Sequence, residues 1–243
     1  MNLLQIREAF VRRSGRYDLV VDTTDWADNG ADFYINSGQR FLDRLDTLPK
    51  SWGRHFTSVA AGRNYVTFPY CRAIKECWAM TTSERKRLKK IDMSDLREYY
   101  NEPVSSVDNG EPAYYAPAVL RVIPESDRLA IGDFDGIIDY ADVMFGKHYE
   151  YNGVIFYPPP DETYNIEVWG LFYSPELVNE TDESFWSVVH PEVLLMAAMH
   201  QVEIMYRNTE GANDWLTAIQ QEVVGLGKDF VEEHIAEVDQ MEG

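Results

Sequence analysis

The sequence predicts an α+β protein in which helices from both ends of the chain form a bundle and a β-rich, sandwich-like region is inserted between them. Three observations carry this expectation. Apolar residues recur at helical spacing within residues 3–11, 34–45 and 215–230. From Trp52 to residue 82, and again from 154 to 173, the pattern changes to period two. Residues 193–199 are apolar on nearly every side, so a helix there must be buried between other elements. The helices at each end have no partner nearby in sequence. The expected division is therefore 1–48 plus 174–243 as one helical domain, with 49–173 as the insertion.

Taking the elements in order, Leu3, Ile6 and Phe10 with Leu4 and Val11 form the stripe of a first helix. Gly15 ends it, because glycine takes the left-handed cap without penalty. Residues 17–22 read as an extended connector. Asp28-Asn29 offers an N-cap for a second helix over 31–46, with Trp26 as a hydrophobic staple. Tyr34, Phe41, Leu42 and Leu45 form its apolar face, and Gly38 permits a neighbour to approach closely. In the β-rich part, strands 54–61 and 65–68 flank Gly62-Arg63-Asn64, a hairpin signal. The next strand, 72–82, places Ile74, Trp78 and Met80 on one face. The basic run Arg85-Lys86-Arg87-Leu88-Lys89-Lys90 follows, the stretch up to Tyr99-Tyr100 reads as mixed helix or loop, and Ser83 is its candidate cap.

Residues 103–117 read as a loop and 114–123 as a strand. Residues 147–151 are expected to pair with 154–158 around Asn152-Gly153, a strong turn dipeptide. Residues 125–146, with Asp127, Asp133, Asp135, Asp139 and Asp142, match no template. The strand 164–173 puts Tyr164, Ile166, Val168 and Phe172 on one face. An acidic turn, 179–184, leads to Phe185-Trp186. Then His190-Pro191-Glu192 opens the buried helix, since proline at the first helical position and an acid behind it both suit a helix start. After a turn ending at Gly211 or Asn213, Trp215, Leu216, Ile219, Val223, Leu226 and Phe230 mark a last helix, loosened at Gly225 and Gly227. The acidic tail, 231–243, is expected to fray unless a partner holds it.

At 243 residues with 45% hydrophobic content and six tryptophans, the chain can bury a sizeable core without disulfides. Cys71 and Cys77 on one strand would lie roughly 20 Å apart, too far to bridge, which predicts reduced thiols and a cytoplasmic life. Nothing resembles a signal peptide or membrane span. The net charge of −19 is uneven: residues 1–100 hold 17 Lys and Arg against 13 Asp and Glu, whereas 101–243 hold 5 against 28. So acidic a C-terminal part argues against gripping phosphate backbones. It fits a solvated surface, or opposite charges meeting across subunit boundaries.

Catalytic patterns are weak. The Asp127–Asp142 cluster lacks the spaced carboxylates and terminal glutamate of a calcium loop. His200 and Glu203 share a helical face and His190 sits ten residues earlier, but zinc wants three converging ligands. His55, His148 and His234 have no evident partners. No nucleophile elbow, Walker loop or dinucleotide fingerprint is present. The basic run lacks interleaved aromatics for nucleic acid and reads as a solvated or subunit-facing patch.

The run Tyr157-Pro158-Pro159-Pro160-Asp161, the tyrosine-bearing strand after it, Trp186, His190-Pro191-Glu192 and Tyr206-Arg207-Asn208 resemble the head-to-tail adaptor proteins of tailed bacteriophages, of the short-tailed-phage type. So does the start of the chain, with residues 3–11, Ser14-Gly15-Arg16-Tyr17-Asp18-Leu19-Val20 and 31–43 in the same order. The resemblance implies a structural virion protein of the neck, assembled in the host cytoplasm, with no enzymatic activity, cofactor, metal or membrane. It implies a homo-oligomeric ring, a dodecamer, that binds the portal protein above and a tail or nozzle protein below. DNA passes through without specific binding. Candidate subunit or portal contacts are Arg85, Lys86, Arg87, Lys89, Lys90, Phe230 and Ile235. The alternative is an acidic metal-dependent hydrolase using the Asp127–Asp142 cluster.

Overall fold

A computed structural model describes residues 1–45, 52–68, 70–82, 84–100, 107–119 and 152–239, with the side chains of the last helix described to Leu226. The fold is α+β, and the chain divides into two compact units, Met1–Ser51 with Tyr173–Gly243, and Trp52–Phe172.

In the first unit, α1 (Leu3–Ser14) starts at a capping box: the Asn2 side chain accepts from the Gln5 N–H, and the Gln5 side chain accepts from the Asn2 N–H. It stops at Gly15, whose φ of +68° is the left-handed cap expected there. Leu3, Ile6, Phe10 and Val11 enter the core, and Arg7 goes in with them. The Arg7 guanidinium is bidentate on Asp32 at 2.7 Å and donates to the Trp26 carbonyl, so its charge is buried with a partner. The connector is not extended: a 3₁₀ turn, Tyr17–Leu19, and a bridge between Val20 and Asp28 fold it back. Asp28 does cap α2 (Ala31–Leu45), its carboxylate accepting from the N–H groups of Gly30 and Asp32. Trp26 is buried in the same core.

Beyond the insertion come α4 (Phe185–Val189), α5 (Pro191–Met205) and α6 (Thr209–Asp239). As its all-apolar surface requires, α5 is enclosed: Val193, Leu194, Leu195, Ala197, Ala198 and Val202 share one core with α1 and α2. At Gly38, an added Cβ would lie 2.7 Å from the Ala198 nitrogen, so α2 and α5 touch backbone to backbone. The two chain ends are also sewn together by polar bonds. Leu3 and Leu4 N–H groups donate to Asp182 and Glu180 carbonyls, and the amino terminus donates to the Ser187 carbonyl. Asp43 gathers the Ser174 N–H, the Ser174 hydroxyl and the Trp186 indole N–H. The last helix differs from expectation at both ends: it starts at Thr209, takes in Gly211 and Asn213, and runs without a break to Asp239. Beyond Gly227 no glycine or proline interrupts residues 228–239.

Among the described residues the second unit holds two four-stranded sheets. One has the order β1 (Trp52–Val59), β8 (Tyr164–Phe172), β3 (Cys71–Met80), β4 (Arg85–Arg87); the other runs β2 (Tyr65–Phe68), β7 (Asn152–Tyr157), β6 (Tyr114–Val119), β5 (Lys89–Lys90). All pairs are antiparallel except β5 with β6. Val59, Ile74, Cys77, Ala79, Ile166 and Val168 from the first sheet and Phe68, Tyr115, Val154 and Phe156 from the second share one core. A smaller core, with Leu96 and Tyr100, lies under α3 (Met93–Tyr99), where the Tyr100 hydroxyl donates to the Phe156 carbonyl.

Three expectations fail here. The turn at Gly62, with φ +76°, does reverse the chain, but β1 and β2 then join different sheets rather than pairing. Asn152-Gly153 lies inside β7, paired with Phe68 and Thr67 of β2 and with Val119 and Ala118 of β6, so it is strand and not turn; residues 147–151 lie outside the described residues. Ile74 does not share a face with Trp78 and Met80. The register of β3 against β8 slips between Ile74 and Glu76, and this bulge turns Ile74 inward with Cys77 and Ala79. Gly170 admits the bulge, since a Cβ there would overlap the Ala73 carbonyl.

Candidate functional site

The basic run is extended, not helical. Arg85–Arg87 form the edge strand β4 of the first sheet, and Lys89–Lys90 the edge strand β5 of the second. Between them Leu88 is buried in the shared core, and its N–H donates to the Cys77 carbonyl. One apolar side chain thus pins a strip of five exposed cations that steps from sheet to sheet. An extended edge suits lysine and arginine, because charge there discourages uncontrolled strand addition.

These cations are not equivalent. Arg85 donates to Glu167 at 2.6 Å and lies 4.4 Å over the Trp78 ring. Arg87 holds Glu76 at 2.8 Å, and Lys86 meets Glu111 at 2.7 Å. Lys89 lies 5.8 Å over the Tyr114 ring, and Lys90 is exposed. Glu167 is the residue that sequence reasoning missed. It is only 2% exposed, with Arg54 at 3.7 Å and the Trp169 indole N–H at 2.7 Å beside Arg85. A buried carboxylate needs such partners, because an unpaired one would cost several kcal/mol. The period-two run Asn165, Glu167, Trp169 was its only local signal; the two arginines come from residues far away in sequence.

Phe230 and Ile235 lie on α6 beyond the described side chains. The Asp127–Asp142 cluster and Ser83 lie outside the described residues altogether. His190 joins α4 to α5, and His200 is buried and stacked on Phe41 at 4.7 Å, where burial lowers its pKa. Glu203 accepts from the Asn208 side chain at the end of α5. His55 faces Phe68 and Phe172, and burial lowers its pKa too. Among the described residues no three His, Cys, Asp or Glu converge as metal ligands. Cys71 and Cys77 are both buried thiols on β3, with burial raising Cys71 to about 11 and Cys77 further. What the arrangement offers is contact: a charged, aromatic strand edge on a rigid sheet.

No curated protein sequence matches the chain. The family model described as SU10 adaptor protein matches residues 1–232, which takes in both units. The chain belongs to the SU10 adaptor protein family.

Proposed function

We propose that this protein is a structural virion component that joins the head of a tailed bacteriophage to its tail. Copies form a ring of twelve below the portal protein, with a tail or nozzle protein beneath, and DNA passes through the centre. Residues 1–48 and 174–243 act as the helical bundle domain and 49–173 as the β-rich insertion. Assembly takes place in the host cytoplasm, and the finished ring sits in the virion neck. The observation that carries the reading is the family match over residues 1–232. The charge of −19 supports it, because an acidic wall repels the phosphates of moving DNA and keeps the channel free. Adaptors of this family work by binding rather than catalysis. The basic strip at Arg85, Lys86, Arg87, Lys89 and Lys90 supplies contacts to an acidic surface of the next subunit or the portal, and Phe230 and Ile235 on the last helix supply apolar ones.

The test is assembly. Purified chain mixed with its portal protein should give, in electron micrograph averages, a second ring stacked on the portal with matching symmetry. A chain that stays monomeric and leaves the portal bare at low salt overturns the proposal.

A further inference from the structure

One face of the first sheet carries aromatic rings and cations in a fixed lattice. Trp52, Arg54 and Phe56 alternate outward along β1, opposite Leu171, Trp169 and Glu167 of β8. Trp78 of β3 and then Arg87 of β4 continue the row. Arg54 lies 5.1 Å over Trp169 and 5.7 Å over Phe56, Arg85 4.4 Å over Trp78, and Lys75 5.3 Å over Trp52. Glu167 sits beneath and fixes two of these guanidiniums, so they lose little freedom on binding. Yet Trp52 and Phe56 remain 45% and 55% exposed. Rigid tryptophan and arginine with exposed aromatic area is the composition of binding hot spots, not of a merely solvated sheet.

The other unit carries a surface of opposite kind. Around α4, Val178, Phe185, Val188 and Val189 are 71%, 38%, 49% and 54% exposed. Glu180 and Glu183 stand exposed in the same segment, and Glu180 also lies close enough to the buried Arg7–Asp32 pair to act on it electrostatically. The segment is held firmly, since Leu3 and Leu4 donate to its carbonyls and Asp182 accepts from the Val178 and Asn179 N–H groups.

We propose that these two surfaces bind each other between copies of the chain: the aromatic and arginine face of one copy seats on the valine and glutamate surface around α4 of the next. Apolar area meets apolar area, and Arg54 and Arg87 meet Glu180 and Glu183. Two arginine faces placed against each other would repel, so the contact joins unlike surfaces. Each copy then offers one of each, the head-to-tail arrangement from which a ring is built when the rotation between copies closes. The inference rests on the ring reading above and names its subunit contact.

Unlike surfaces allow a complementation test. Phe56→Glu spoils only the sheet face and Val188→Glu only the α4 surface, and both positions are exposed. Each variant alone, followed by sedimentation velocity with and without portal protein, should lose assembly under conditions where the wild-type chain assembles. Mixed one to one, they retain one intact pair of surfaces and should form a heterodimer and nothing larger. Arg87→Glu with Glu183→Arg in the same chain should restore assembly that either change alone weakens at least tenfold. If either glutamate variant assembles as wild type, or the mixture yields no heterodimer, this interface is wrong while the ring stands. A wild-type chain that never associates, even on the portal, overturns the ring as well.

Discussion

Replacing Gly38 with alanine tests the backbone contact between α2 and α5, because the outcome opposes ordinary helix propensity. Alanine is favoured over glycine in a helix by about 1 kcal/mol, so an uninformed expectation is stabilisation. At Gly38, however, the new Cβ would lie 2.7 Å from the Ala198 nitrogen, 2.9 Å from the Ala197 carbonyl carbon and 3.1 Å from the Ala198 Cα. All three are backbone atoms of α5, so no side chain can swing away. The helices must part by several tenths of an ångström along their shared core, and overpacking of this sort costs about 1–3 kcal/mol. Subtracting the propensity gain leaves a net loss of up to about 2 kcal/mol, or a melting temperature lower by about 4–8 °C for a chain of this size. Gly225 is the control: it is also helical, on α6, with nothing within 4 Å of its added Cβ. Gly225→Ala should therefore gain about 0.5–1 kcal/mol. Thermal unfolding followed by helical circular dichroism reads both. If Gly38→Ala raises the midpoint as Gly225→Ala does, the backbone contact between α2 and α5 is not there.

Four further outcomes follow from the same structure. Arg85→Ala leaves the buried Glu167 short of its best partner and should cost about 1.5–3 kcal/mol, whereas Lys86→Ala breaks an exposed pair and should cost under about 1 kcal/mol; urea midpoints compare them. Lys86, Lys89 and Lys90 changed together to glutamate should leave the urea midpoint close to wild type but weaken portal docking, as high salt should. Burial holds His200 below its ordinary value of 6.5, so the unfolded chain binds the proton more readily; stability is full above about pH 6.5 and falls as pH drops below it, and His200→Leu should flatten that slope between pH 7.5 and 5.5. Burial raises both cysteine thiols, so a thiol reagent at pH 8 should label neither Cys71 nor Cys77 until the chain unfolds.

Local signals in the sequence announced local structure. Gly15 as a left-handed cap, Asp28 as the cap of α2, Gly38 as a point of close approach and the enclosure of α5 all follow from residues within a turn or two of each other. So does the inward face of Tyr164, Ile166 and Val168, which needs only alternation along one strand. What failed needed knowledge of a partner. The turn at Gly62 signals a reversal, but nothing nearby says that the next strand belongs to another sheet. The face of Ile74 depends on a bulge that Gly170, on β8, makes room for. The basic run is too short for periodicity to register, and its strands exist because β3 and β6 offer edges. Glu167 shows the limit most clearly. A lone acid in a strand reads as solvent-facing, and only Arg54 and Arg85, brought together by sheet order, make its burial tolerable.

The way the insertion is closed bears on how the first unit can form at all. That unit joins segments far apart in the chain: Asp43 binds Ser174, Asn36 binds Leu177, and the amino terminus reaches Ser187. Bringing such segments together across an unfolded loop of about 120 residues costs about 4 kcal/mol of closure entropy. The insertion removes that cost when folded, because Trp52, its first residue, pairs with Leu171 near its last. Its ends then emerge side by side, and the loop shortens to the width of one strand pair. Among the described residues, its two cores draw on side chains between Val59 and Phe172. The β1–β8 ladder is thus more than an edge of a sheet. Its pairing of Trp52 with Leu171 shortens the loop between residues 36–43 and 174–177, which are bonded to each other in the first unit.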